Sequence, residues 1–177
     1  SARLIERFNL MHVSTGELLR EAIKEGSPLG QEAKKYIDRG ELVPDDMVIG
    51  LIGDLLDHKH NFGGIVFDGF PRTTVQALEL DKMLAAKGTA IAMMMSLEVD
   101  YKELMNRLMA RSKLADRSDD KSMSIIENRI EVYKRQTAVV IDFYKAQNKY
   151  LAIDGMGTID EIFDRIVNGV ASFTQKK

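Results

Sequence analysis

The 177 residues are 45% hydrophobic and 29% charged, enough apolar material for one substantial core. With 25 basic and 27 acidic side chains the formal charge is −2, which argues against a general nucleic-acid surface. The chain has no cysteine, so disulfides and cysteine zinc sites are excluded, and no apolar run approaches membrane-spanning length. There is no signal-peptide pattern at the start, and a cytoplasmic setting is expected.

Leu4, Ile5 and Phe8 stand at helical spacing, so the chain opens inside a helix without its own cap. Residues 10–13 are a short strand candidate, and Ser14-Thr15-Gly16-Glu17 is a capping-box pattern with Glu17 reaching back to Ser14. The helix it opens carries Leu18, Leu19, Ala22 and Ile23 on its apolar face and stops near Gly26. Ser27-Pro28 starts a second helix that ends at Gly40. An extended link through Glu41 and Val43 leads to Pro44-Asp45-Asp46 and a third helix bearing Met47, Leu51, Ile52 and Leu55. Three short helices between two strands exceed what a simple crossover needs and are expected to cover something.

Gly64-Ile65-Val66-Phe67 reads as a buried strand running into Asp68-Gly69-Phe70-Pro71-Arg72-Thr73. A helix follows over 76–87, and the continuous apolar run 90–97 predicts a strand buried on both faces. Its Met93-Met94-Met95 triplet is assigned to core packing rather than to a soft metal. Helix is expected over 101–109, then a polar interruption over 111–120, then one long helix through Ile126, Arg129, Ile130, Tyr133, Val140 and Phe143. Residues 150–153 are the last strand, and Thr158 to Glu161 is a capping box opening a terminal helix with Ile162, Phe163, Ile166 and Val167 inward. Four strands alternating with helices predict an α/β fold with a mostly parallel sheet.

An acid, a glycine turn and an arginine at the carboxyl end of a buried strand mark where open α/β sheets hold ligands. Arg20, Arg72, Arg107, Arg111, Arg117 and Arg129 each lie near a strand end, a polar interruption or a helix side bordering one. Converging arginines suit polyphosphate transfer, where charge develops on phosphoryl oxygens with little covalent chemistry. His12, His58 and His60 lack a completing carboxylate or cysteine set and are expected at the surface.

Five ordered blocks carry a family resemblance. They are Ser14-Thr15-Gly16-Glu17-Leu18-Leu19-Arg20, Gly40-Glu41-Leu42-Val43-Pro44, Asp68 to Thr73 with Gln76, Arg117-Ser118-Asp119-Asp120, and Asp154-Gly155. In order and spacing this chain resembles the adenylate kinases over essentially its whole length. The resemblance implies a P-loop NTPase-like parallel sheet flanked by helices, with a small helical AMP-binding insertion at 15–63 and a short lid at 111–120. The core would be 1–14, 64–110 and 121–177 of one domain. It also implies reversible transfer of the terminal phosphoryl of MgATP to AMP, giving two ADP, by a monomer with no zinc.

In that reading Thr15, Gly16, Arg20, Glu41, Val43, Gly69, Arg72 and Gln76 line the AMP site, with Gln76 at the adenine edge and Arg20 and Arg72 on the phosphate. Arg117 and Arg129 border it as well, and with Arg72 and Arg111 they clamp the phosphates in flight. Arg107 lies against the ATP adenine, the Gly157 backbone touches its edge, and Asp68 organises Mg²⁺ through water. Thr15 and Thr73 stand where uridylate/cytidylate kinases tend to carry alanine and asparagine, which favours AMP over that rival. A non-catalytic nucleotide-binding module is the rival of another class.

Three departures from the family pattern stand out. No G-x-x-x-x-G-K-[ST] loop occurs in the chain, so roughly fifteen to twenty preceding residues, about one strand plus a loop, are expected in the natural product. Without that segment two rows of backbone groups would lose their partners, each costing about 1–3 kcal/mol if buried, and the chain as written is expected to be inactive. Ser112 and Asp116 replace glycines usual in the lid, and Asp120 to Arg129 is one residue longer than usual.

Overall fold

A computed structural model describes residues 2–58, 63–114 and 122–175. Helix α1 (Ala2–Phe8) leads to β1 (Met11–Ser14), and α2 (Thr15–Lys24), α3 (Pro28–Ile37) and α4 (Asp45–His58) fill the chain before β2 (Ile65–Asp68). Then come α5 (Thr74–Ala86), β3 (Met94–Glu98), α6 (Tyr101–Leu114), α7 (Met123–Val132), a π-helical segment (Tyr133–Thr137), α8 (Val139–Ala146), β4 (Tyr150–Asp154) and α9 (Ile159–Gln175). The expected α/β class with parallel strands is what is found.

The strands form two parallel pairs. β1 pairs with β2, Ser14 opposite Asp68, and β3 pairs with β4, Glu98 opposite Asp154. No ladder joins β2 to β3 among the described residues. This corrects the expectation for residues 90–97. The strand begins only at Met94, its side chains are half-buried rather than enclosed on both faces, and Leu97 is 47% exposed. A strand with one paired edge has fewer neighbours to cover it than a strand inside a continuous sheet.

Two apolar clusters hold the pairs. The larger gathers Met11, Val13, Leu19, Ala33, Ile52 and Leu80 around β1 and the helices α2 to α5. The smaller joins Ala77, Val140 and Tyr144 to Met94 and Phe143. Helix α5 contributes Leu80 to one and Ala77 to the other, and Ile91 touches both. Burying a side chain such as Leu80 or Ile52 stabilises by about 2 kcal/mol, so α5 is the beam between the halves.

Local signals explain most helix ends. Ser14 Oγ accepts from Glu17 N (3.4 Å), Ser27 Oγ from Gly30 N (3.2 Å), and Thr73 Oγ1 from Gln76 N (3.2 Å). Only half of the box at Ser14 forms as expected, because the Glu17 carboxylate turns toward His12 Nδ1 (4.0 Å). Two expectations further along change. Helix α6 continues to Leu114 because Arg111-Ser112-Lys113-Leu114 contains no glycine or proline to stop it. The long helix after it is broken by the π-helical segment, which separates α7 from α8. The inward residues of α9 are half-buried: Phe163 lies under the Arg3 guanidinium (4.1 Å), and Gly169 meets Ile153 and Leu151 of β4.

Helices α2 and α3 touch through Gly30. A Cβ there would stand 2.0 Å from Ala22 O and 2.5 Å from Ile23 N, both backbone atoms that cannot yield cheaply. Gly30→Ala should therefore lower stability by about 3 kcal/mol, the upper end of the usual overpacking cost. Urea unfolding monitored by circular dichroism measures it, and an unchanged midpoint would contradict this contact.

Candidate active site

The carboxyl ends of β1 and β2 lie side by side, and one hydrogen bond ties the turns that leave them. Thr15, only 4% exposed, donates from Oγ1 to Gly69 O (3.0 Å). Each turn carries a glycine under an arginine. A Cβ on Gly16 would stand 3.1 Å from Arg20 Nη1, and one on Gly69 would stand 2.7 Å from Arg72 Nη2. Gly69 has φ +71, a conformation glycine adopts without strain, and Arg72 Nε donates to its carbonyl (2.8 Å). Thus Thr15, Gly16, Arg20, Gly69 and Arg72 assemble as one group, with two guanidiniums over a small-residue floor. Phe70 is buried against Phe67, with ring centroids 6.0 Å apart, and anchors the turn from below.

Gln76 sits behind this group, 2% exposed. Its Oε1 accepts from Arg72 N (2.8 Å), and its Nε2 donates to Asp45 Oδ1 (2.8 Å). Val43 is buried in the larger core cluster rather than lying open on a surface. Asp68 ends β2 with a half-exposed carboxylate, 3.3 Å from His12 Nε2. His12 is therefore not the surface residue expected from its sequence: its side chain is 22% exposed, and strand pairing brings it to Asp68. His58 is exposed, with Nδ1 2.7 Å from Asp54 O, and His60 lies outside the described residues. No group of three or more His, Asp or Glu residues placed to hold a metal occurs among the described residues.

A third arginine, Arg129 of α7, packs against the turn at Gly40. Gly40, at φ +71 after α3, is met by Arg129 Cγ and Ile125 O, each 2.8 Å from where a Cβ would stand. Asn128 Nδ2 donates to Arg39 O (2.8 Å), fastening the same turn to the same helix. Glu41 pairs with Arg39 (2.8 Å), whose hydrogen bond holds the Glu41 carboxyl below its ordinary pKa. With Tyr36, Asn128 and Arg135 it lines a cavity of about 260 Å³ beside the turn.

Arg107 and Arg111 are one helical turn apart on α6. Arg107 donates to Glu103 (2.7 Å), and Arg111 is half-buried. Gly157 takes φ +101 in the turn after β4, where Thr158 N donates to Glu161 Oε2 (2.8 Å) and Glu161 N to Thr158 Oγ1 (3.3 Å). These Thr158 donors hold the Glu161 carboxyl below its ordinary pKa. Arg165 Nη1 donates to Asp154 O (3.0 Å) and to Met156 O, bracing the Gly157 turn. Arg117, Asp116, Asp119 and Asp120 lie outside the described residues.

Sequence reasoning missed Asp45, Asn128 and Arg165. Arg165 could have been found, standing four residues beyond Glu161 on the same helix face. Asn128 could not, because its partner is 89 residues away.

A sequence model of the adenylate kinase family matches residues 1–149. The chain belongs to the adenylate kinase family. It is 45% identical over 170 residues to an adenylate kinase of Parabacteroides distasonis and 46% identical over 170 residues to one of Phocaeicola vulgatus, covering 96% of this chain and 89% of each relative. An adenylate kinase of Caulobacter vibrioides is 44% identical over 160 residues, 90% of this chain and 83% of that protein. The matched span 1–149 includes the arginine-and-glycine group just described.

Gly40 gives a direct test of the contact between the α3 turn and α7. Gly40→Ala adds a left-handed strain and a Cβ against Ile125 O, so stability should fall by about 2–3 kcal/mol. Amide exchange should quicken on both sides of the contact, at residues 39–42 and 125–129. Faster exchange on neither side would refute the contact.

Proposed function

We propose that the protein catalyses reversible transfer of the terminal phosphoryl group of MgATP to AMP, giving two ADP. The observation that carries this reading is the pair Arg20 and Arg72, held over Gly16 and Gly69 and tied by the Thr15–Gly69 hydrogen bond. Guanidinium forks match phosphate oxygens in pairs, and glycines beneath them let a phosphate approach the backbone. Membership of the adenylate kinase family supports the same chemistry.

In this proposal the AMP phosphate rests on Arg20 and Arg72. Its ribose and base lie along Thr15, Gly16, Glu41, Val43 and Gly69, and Gln76 meets the adenine. Arg111, Arg117 and Arg129 join Arg72 in neutralising charge on the transferring group, which is the main catalytic task in phosphoryl transfer. Arg107 and the Gly157 backbone border the ATP adenine. Mg²⁺ arrives with ATP and shares that charge. The Asp68 carboxylate stands half-exposed at the strand end, where it would hold water of the ion's hydration shell. Movement of helices 15–58 and of the lid stretch 111–120 toward the core would exclude water once both nucleotides are bound.

The acceptor is AMP rather than a pyrimidine nucleotide because Thr15, Thr73 and Gln76 are all present. We assign the protein to the cytoplasm as a monomer without zinc or nucleic-acid partners, in keeping with its mild net charge and lack of cysteine. No described helix is long and apolar enough to cross a membrane.

The test is a coupled ADP-formation assay with MgATP and AMP, CMP or UMP, run on the product its gene encodes after intact-mass measurement. Phosphorylation of AMP well above CMP and UMP is expected, and activity on none of the three would overturn the proposal. Arg72→Ala should reduce kcat/KM for AMP by about 10²-fold, the scale of one lost charge-assisted phosphate contact. Unchanged kinetics would remove Arg72 from the site.

A further inference from the structure

We propose that Asp45 is a specificity-determining positioning residue: it fixes the amide of Gln76 in one orientation and so sets which base edges the acceptor site accepts. This rests on the proposed reading of Gln76 as the group that meets the base. The Gln76 amide is buried between two partners of opposite character. Asp45 Oδ1 receives its Nε2–H (2.8 Å), and Arg72 N–H donates to its Oε1 (2.8 Å). A carboxylate only accepts and a backbone N–H only donates. Turning the amide over would set oxygen against carboxylate and N–H against N–H, so one orientation prevails. Thr73 closes the arrangement by donating from Oγ1 to the same Asp45 oxygen (3.0 Å) while accepting from Gln76 N (3.2 Å).

After these bonds the amide has one N–H and one carbonyl lone pair left. Adenine offers a ring-nitrogen acceptor beside an amino donor, which is the complement of that pair. Guanine and uracil present the reverse, a carbonyl acceptor beside a ring N–H donor. A fixed amide therefore accepts adenine and rejects guanine, while a freely turning amide serves both. The lock also runs into the phosphate side of the site, because Arg72 supplies the backbone N–H that holds Oε1.

The experiment compares kcat/KM for AMP and for GMP in the wild-type gene product, Asp45→Asn and Asp45→Ala, with KM for ATP recorded in each. Asp45→Asn keeps the shape and one oxygen but can offer either an acceptor or a donor to Gln76. It should keep the melting temperature and KM for ATP while the AMP-to-GMP ratio falls about tenfold. Asp45→Ala should lower that ratio as well and also raise KM for AMP. Unchanged ratios in both variants, or an equal loss on both nucleotides, would overturn the role of Asp45 and leave the kinase reading standing. A wild-type protein without activity on AMP would instead overturn the reading beneath it.

Discussion

The Thr15–Gly69 hydrogen bond is the constraint on which the candidate site depends. Parallel pairing sets Ser14 opposite Asp68, so the next residues of both strands leave the sheet together. Parallel neighbours run the same way, and both turns fall at the same edge. Thr15 then closes the space between them with its buried hydroxyl. Without that tie Arg20 and Arg72 would be two separate surface residues on separate turns. With it they share one floor, because each guanidinium lies over a glycine next to the tie.

Several cations outside this pair have carboxylate partners. Arg39 is matched by Glu41, Arg107 by Glu103 and Arg3 by Asp160, all at least partly exposed pairs of the kind that contribute little to stability. Arg72 donates its Nε to the Gly69 carbonyl, which orients the guanidinium over the turn. Asp68, at the end of β2, stands 3.3 Å from His12 Nε2 across the strand pair.

How much of this was legible in the sequence depended on the distance over which each cause acts. Helix caps at Ser14, Ser27 and Thr158 were readable because donor and acceptor are three residues apart. Glycines 16, 69 and 157 were singled out through the family resemblance, and each meets a side chain three or four residues further along the chain. The role of Asp45 was not, since it acts on residues 28 and 31 positions further along. His12 looked like a surface residue because nothing local predicts that strand pairing carries it to Asp68. The run around Met94 looked doubly buried because composition reports apolarity and not the number of strand neighbours. Helix continuation past Met109 and the break at Tyr133 both escaped, since propensity alone does not distinguish a π-helical turn from an α-helical one.

That π-helical segment has a physical consequence for the site. Helix α7 must press Arg129 and Ile125 against Gly40 while burying Ile126, Ile130 and Val132. Helix α8 must bury Val140 and Tyr144 against Ala77 of α5 and Met94 of β3. The two tasks face different parts of the molecule, and an uninterrupted α-helix fixes the angle between its faces. The wider turn at Tyr133–Thr137 changes that angle, so α7 and α8, joined through it, each serve one task. Through α8 it rests on α5, the helix that also carries Gln76 at its amino end. Arg129 and Gln76 are thereby referred to the same beam, although one comes from α7 and the other follows the Asp68 turn. A displacement of α5 would therefore move Gln76 directly and Arg129 through α8 and α7, so packing alone couples the two positions.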